Sequence, residues 1–477
     1  QAYDWEVWLE TGLEAIQRQL VCHGAIYLKI HQRIEGDDLM KKILLIQSTP
    51  YDANHHLIKK RKLYFVGLAM PLLAALTPTD WDVEIVLETI EDIPFDSDAD
   101  IIGIGGMGHA IVRSLDIARE FKKRGKTVIL GGYMASLMPE EAKKYCHAVV
   151  IGDAENVWNQ VLEDYEAGTL KEFYQDDLLE LSTPLPRFDL ILSKNIGDFL
   201  PVQAGRGCPN SCSFCSVACL YKNRYVRREI PEVIRDIKQI KDLGFDKFLL
   251  LDDNILSDRD YMVELCGEIK KLDMHWLSQC AIDIGKDNEL LTLVAKSGCI
   301  ALSFGIESIT QESLEYMNKS WARVDEYSDL IKNIQKHGID VSTEMVVGAD
   351  GDSLESIAKT AEFIKVNKIV VPRFYILTPI PGTVFYDELK AQGRIYKEDI
   401  YKYNGTEAVH IPKQMRPEEL TAAYWKLYNQ VFSYGSILSR TVFRKDFFTG
   451  VNKYLFYLGV NLYYRHQIKR KITPNII

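Results

Sequence analysis

Three cysteines within one short stretch, Cys208-Pro-Asn-Ser-Cys212-Ser-Phe-Cys215, stand at C-x3-C-x2-C spacing behind Gly205-Arg206-Gly207. Thiolates are the usual ligands of iron–sulfur clusters, which normally take four. Three local thiolates with no obvious fourth would leave one iron of a 4Fe-4S cluster open to a ligand that is not protein. Such an arrangement would be reactive. The competing readings are a structural zinc knot and buried free cysteines acting as small hydrophobes. Zinc sites usually draw on two Cys pairs or on Cys with paired His, and neither pattern is present here. The glycines before Cys208 and the aromatic Phe214 also exceed what a core stretch needs. Cys219 could suggest a fourth ligand, but that would close the site, so it reads as packing. Cys280 and Cys299, in or beside a strand, read as core.

Bulk properties narrow the setting. The 477 residues, 47% of them hydrophobic, allow two to four domains with a large core. A net charge of -10 argues against a general nucleic-acid binder. Nine cysteines in so long a chain are no disulfide scaffold and suit a reducing cytoplasm. No basic-then-apolar leader opens the sequence, and no apolar run reaches the roughly 18 residues of a membrane span.

The elements that must position the cysteines can be read from the hydrophobic pattern. Residues 1–39 carry a helical apolar pattern of unclear status, and Met40-Lys-Lys-Ile looks like the opening of a domain. From 40 to 165 strands are expected at 43–47, 83–87, 101–105, 127–130 and 148–151, with helices at 67–76 and 112–124: a doubly wound, Rossmann-like domain. Glycines close the last three strands (Gly103, Gly105, Gly106 and Gly108; Gly131 and Gly132; Gly152), where a parallel sheet forms its ligand crevice. Gly103-x-Gly105 is only a weak dinucleotide fingerprint, lacking the later acidic partner. Residues 166–200 read as a connector stiffened by Thr183-Pro-Leu-Pro-Arg-Phe188. From 201 to 393 six strand–helix units suit a partial TIM-like (βα)6 barrel, and 394–477 reads as a mostly helical tail. In βα barrels chemistry gathers at the C-terminal ends of strands. Those ends carry Asp252-Asp253, Gln279, Ser303-Phe-Gly305-Ile-Glu307, Glu344 with Gly348, and Thr378-Pro379.

The cluster loop, with these strand ends, resembles the radical S-adenosylmethionine (SAM) superfamily. The whole resembles its subclass with an N-terminal cobalamin-binding domain, to which Gly131-Gly132, Pro139-Glu140-Glu141 and Gly152-Asp153-Ala154-Glu155 are similar. The resemblance implies Cys208, Cys212 and Cys215 as metal ligands and catalytic residues of a 4Fe-4S cluster. It implies Phe214, Asp252, Asp253, Gln279, Ser303, Glu307, Glu344, Gly348, Thr378 and Pro379 as SAM contacts, and Gly105, Gly106, Gly131, Gly132, Gly152 and Glu155 as cobalamin contacts. The loop Thr49-Pro-Tyr-Asp-Ala-Asn-His-His56 lacks the Asp-x-His-x-x-Gly of many cobalamin domains, so a corrin would bind without a protein histidine beneath its cobalt. His55, His56 and His109 read as surface or loop residues.

The chemistry that the resemblance implies is reductive cleavage of SAM to a 5′-deoxyadenosyl radical, hydrogen abstraction from an unactivated carbon, and C-methylation from methylcobalamin. The alternatives are carbon–carbon coupling, cyclisation or rearrangement without methyl transfer and, more remotely, a non-catalytic metal-binding module. The implied partners are a small-molecule or lipid-like substrate and a reductant such as flavodoxin or ferredoxin, without nucleic acid. Aromatics between 447 and 464 precede Arg465-His-Gln-Ile-Lys-Arg-Lys471. That tail could rest on an anionic membrane surface, or pack as a helix over the barrel mouth. The enzyme is therefore expected in the cytoplasm, with membrane association through the tail as the further expectation.

Overall fold

The computed structural model describes residues 40–106, 110–176 and 180–474. The helical pattern of residues 1–39 lies outside them, as do Gly108 and His109. The first apolar run becomes β1 (Lys41–Gln47), in which Ile43 to Ile46 are all buried. A strand buried on both faces needs cover on both. Ile43 and Leu45 pack with Met70, Leu72 and Trp158, from helices Ala69–Leu76 and Trp158–Glu166. Leu44 and Ile46 share a second core with Ile111, Leu115 and Phe121 of helix Ile111–Lys123.

β2 (Leu63–Phe65) leaves this sheet, which β3 (Trp81–Leu87), β4 (Ile101–Gly105), β5 (Thr127–Gly131), β6 (Ala148–Ile151) and β7 (Phe173–Gln175) complete. The order is β3-β1-β4-β5-β6-β7, with every pair parallel. Strand order reverses between β1 and β4, the switch point at which such sheets bind ligands. The sequence pattern did not reveal β7, so the first sheet runs on past residue 165.

β8 (Ile196–Gln203) leads into the short hairpin strands β9 (Gly205–Gly207) and β10 (Tyr225–Arg227). β11 (Lys247–Leu251), β12 (His275–Cys280), β13 (Cys299–Glu307), β14 (Asp340–Val347) and β15 (Val371–Ile376) come after them. The second sheet, ordered β15-β14-β13-β12-β11-β8-β2, is the expected partial barrel with one addition. β2 comes from the first domain's stretch of sequence and pairs in parallel with β8. Alternation along the barrel strands buries Phe248, Leu250, Trp276, Leu302, Phe304, Val341 and Met345. The intervening residues, Gln279, Ser303 and Glu344 among them, line the other face.

An open barrel has two edges whose backbone groups need partners. β2 covers one. At the other, the Tyr428 hydroxyl meets both backbone groups of Phe374, accepting from its N–H and donating to its carbonyl, each at 2.9 Å. Ile376 donates to the Gly405 carbonyl at 2.7 Å. Asn461 of helix Val451–Lys469 donates to Val370, and the buried Arg440 to Ile369 and Val370. The tail thus packs along the β15 edge. His410, 1% exposed, is held at Nε2 against the Gly348 carbonyl at the end of β14, 2.9 Å away.

The two sheets also meet through one side chain beside the cysteines. Arg206 of β9 pairs with Asp153 at 2.5 Å and Glu155 at 2.6 Å, both in the loop after β6. Tyr221, at the end of helix Ser216–Tyr221, donates to the same Asp153 at 3.1 Å. Burial works against the Arg206 charge, but Glu155 and Asp153 raise its pKa above the usual guanidinium value.

Arg206→Met should leave two acids without their cation and lower stability by about 3–5 kcal/mol, read from urea unfolding. Adding Asp153→Leu and Glu155→Leu should recover much of that loss. Burial lowers His410 to about 4. Its unfolded form titrates near 6.5, so its contribution is complete above that value and drains away as pH falls toward 4. Between pH 7 and 5 this should cost about 2 kcal/mol, a difference that His410→Gln should remove from the measured acid slope.

Candidate active site

The hairpin of β9 and β10 brackets the cysteine loop, with Gly207 opposite Tyr225 and Gly205 opposite Arg227. Gly207 has φ +84, and a Cβ there would sit 2.1 Å from the Arg224 carbonyl, so only glycine fits. The Gly207 N–H donates to Asp253 at 2.7 Å, and Asp252 accepts from the Tyr225 hydroxyl at 2.7 Å. These two carboxylates, expected to meet SAM, brace the hairpin. Burial lifts Asp252 to about 7 and Asp253 to about 6. Asn254 hydrogen-bonds Cys208 and accepts from the Ala281 N–H, joining the ends of β11 and β12.

The far side of the loop is held by residues that the sequence did not single out. Asn318 donates to the Ser211 carbonyl at 2.6 Å, Ser213 N–H to the Met317 carbonyl at 3.0 Å, and Phe385 N–H to the Ser213 carbonyl at 2.9 Å. Lys319 is 6% exposed and donates to Glu307 at 2.8 Å and to the Gly305 carbonyl at 2.7 Å. Burial disfavours its charge, yet Glu307 and Cys212 beside it raise its pKa above the ordinary lysine value. Glu307 itself adopts φ +59, a left-handed backbone rare outside glycine. Strain of this kind concentrates at functional sites. Lys319 carried no signal in the sequence, because it follows helix Gln311–Tyr316 and meets Glu307 only through the fold.

Cys208, Cys212 and Cys215 share this setting. Burial raises all three thiols, Cys212 to about 12, and each lies within electrostatic reach of at least one other. Iron would reverse that preference, because a coordinating thiol is deprotonated outright. Each ligand of a four-iron cluster binds its own iron, so the trio need not converge on a point. Among the described residues, no three His, Cys, Asp or Glu side chains stand close enough to share one ion. The donor set and its half-buried, cation-flanked setting fit a cluster. Cys219 donates to the Gly382 carbonyl instead. Phe214 packs partly buried against the core.

Further along the barrel, Glu344 pairs with the buried Arg373, which also donates to Ser303 at 3.1 Å. Glu344 Oε2 and Arg373 Nε have no protein partner. Gln279 lies one strand over, level with Ser303. The Gly348 N–H donates at 2.9 Å to Asp352, which also accepts from Ser308 and Ser313. That buried knot fastens the ends of β13 and β14 together. Thr378 Oγ1 bonds back to the Ile376 carbonyl, and Pro379 comes next in the turn toward Gly382.

In the first domain the glycines divide. A Cβ on Gly105 would strike Met70, one on Gly106 would strike Ser48 and Ser114, and Gly132, at φ +99, approaches the Gly106 carbonyl. A Cβ on Gly152 would meet nothing within 4 Å, and one on Gly131 would meet only Val150, at 3.8 Å or beyond. The open face of the crevice is therefore at Gly131 and Gly152. Glu155 turns to Arg206. His55 stacks on Tyr51 at 4.1 Å, and His56 is exposed.

Residues 202–364 match the radical SAM superfamily. The chain is 31% identical to bacteriochlorophyllide d C-12(1)-methyltransferase of Chlorobaculum tepidum over 78% of its own length and 85% of the relative's. To the C-8(2)-methyltransferase of the same organism it is 32% identical over 79% and 87%. The radical S-adenosylmethionine methyltransferase TsrM from Kitasatospora setae, solved with cobalamin and a 4Fe-4S cluster, superposes with a TM-score of 0.58 at 16% identity, over 74% of this chain and 75% of that one. The chain belongs to the radical SAM superfamily, in the group that joins a cobalamin-binding-type domain to the radical barrel.

Proposed function

We propose that this chain is a cobalamin-dependent radical SAM methyltransferase that places a methyl group on an unactivated carbon. The observation that carries this reading is the half-buried cysteine trio held between Lys319 and the β11 end, on a hairpin gripped by the corrin-type domain through Arg206. The relatives that span most of the chain are methyltransferases, which supports methyl transfer over the other radical reactions. The substrate is an apolar small molecule, of which the relatives' bacteriochlorophyllides are the nearest in kind. When loaded, cluster and SAM together supply a carbon radical, and cobalamin a transferable methyl group.

The chain's own residues hold and screen. Cys208, Cys212 and Cys215 bind the irons. Lys319 places a positive charge beside Cys212, balancing thiolate charge in a site withdrawn from water. Gln279, Ser303, Glu307, Glu344, Gly348, Thr378 and Pro379 line or close the barrel end where SAM lies. Arg373 and Glu344 pair beneath this end and fix the charge there, with Arg373 Nε and Glu344 Oε2 buried without a protein partner. Gly131 and Gly152 would leave room for a corrin face, while His55 is stacked on Tyr51 and His56 is exposed. A low-potential reductant such as flavodoxin or ferredoxin delivers the electron. Among the described residues no helix is long and apolar enough to cross a membrane. The catalytic body works in the cytoplasm, and the tail brings it to a membrane surface.

After anaerobic reconstitution, one 4Fe-4S cluster and one corrin per chain are expected. Cys212→Ala should reduce iron and sulfide to background while leaving corrin uptake unchanged, as measured by metal analysis and absorbance. With SAM and a low-potential reductant, the wild-type chain should form 5′-deoxyadenosine together with S-adenosylhomocysteine when supplied with a bacteriochlorophyllide. 5′-Deoxyadenosine alone, with no methylated product from any apolar substrate, would sink the methyl-transfer assignment and leave the radical one standing.

A further inference from the structure

Helix Val451–Lys469 is apolar on two sides, and the protein covers one of them. Tyr454, Asn461 and Ile468, seven residues apart, are buried along the β15 edge. On the outer side Phe456 is 65% exposed, Leu455 49%, Tyr463 48% and Leu462 40%. Phe448, in the short turn just before the helix, is 87% exposed. Leu455 with Leu462, and Phe456 with Tyr463, stand about two helical turns apart, which places these four side chains on one face. An apolar stripe of this size left in water marks an interaction surface.

The charge beside the stripe chooses the partner. All 67 acidic residues of the chain lie before position 447, whereas Lys453, Arg465, Lys469, Arg470 and Lys471 lie beyond it. Lys469 and Arg470 are exposed at the end of the helix, and Lys445 is exposed ahead of Phe448. Basic residues thus flank an aromatic face, on a chain that is otherwise strongly acidic. A two-fold pairing of this face with a second copy would set those cations against their own duplicates. An anionic lipid surface satisfies both halves: the rings enter the acyl boundary while lysine and arginine reach the headgroup phosphates.

We infer that the outer face of helix Val451–Lys469, with Phe448, is a docking surface for an anionic bilayer, on which the helix lies in plane. The same helix packs along the β15 edge of the barrel, so docking sets that edge against the phase in which an apolar substrate would dissolve. This rests on the apolar-substrate reading above, but docking itself needs neither cofactor nor turnover. Vesicle binding can therefore fail while methyl transfer stands, and the reverse.

The test is co-sedimentation of the full chain with phosphatidylcholine vesicles, with and without phosphatidylserine, at low and high salt. Binding is expected with phosphatidylserine, weakened by salt. Phe448→Ser with Phe456→Ser should weaken it about tenfold or more, as should Lys469→Glu with Arg470→Glu. Both pairs lie outside the core, so their urea midpoints and cluster content should match the wild type. No binding at low salt would overturn the inference. So would binding that is indifferent to both pairs, or a dimer in sedimentation equilibrium that the Phe448 and Phe456 changes dissolve, which would assign the face to a second copy.

Discussion

A guanidinium with two carboxylates around it joins the halves of this protein. Arg206 stands two residues before the first cysteine, and both acids belong to a loop of the other sheet. Removing three charges from water is tolerable only when each is matched in place. The distance between the corrin-type crevice and the cysteine loop is therefore not set by a flexible connector. It is held by fixed contacts, this one and the pairs Lys194–Glu91 and Tyr401–Asp116, which also tie the first domain to later parts of the chain. Tyr221 repeats the grip from the other end of the loop by donating to the same Asp153.

Around that contact the acids do less obvious work than their types suggest. Asp252 and Asp253 appear at a strand end in the position of ligand contacts, yet the Tyr225 phenol occupies an oxygen of Asp252 and the Gly207 amide one of Asp253. Glu307 is committed to Lys319 and Asp352 to a knot of hydroxyls and amides. The pocket is thus stiffened by groups that also colour its electrostatics, so that replacing any one of them alters shape and charge together.

What was legible in the sequence was local. The cysteine spacing, the glycine at 207, the five first-domain strands and the six barrel strands are each specified within a few residues by periodicity and turn chemistry. The half-barrel came from counting those units. The partners brought together from far along the chain were not legible. β2 joins β8 across more than a hundred residues, Arg206 finds Asp153 and Glu155 across about fifty, and Lys319 reaches Glu307 around a helix and a turn. Short strands such as β2 and β7, with three residues each, have no period to read. Glu155 illustrates the limit: its place in a recognisable motif was clear, but its salt-bridge partner was visible only in three dimensions.

The phenol of Tyr428 has one more implication. By occupying both hydrogen-bonding groups of Phe374, it takes the place that the backbone of a further strand would need. The cylinder therefore cannot grow by zipping on another βα unit and stays an open half-barrel whose last strand is capped by the tail.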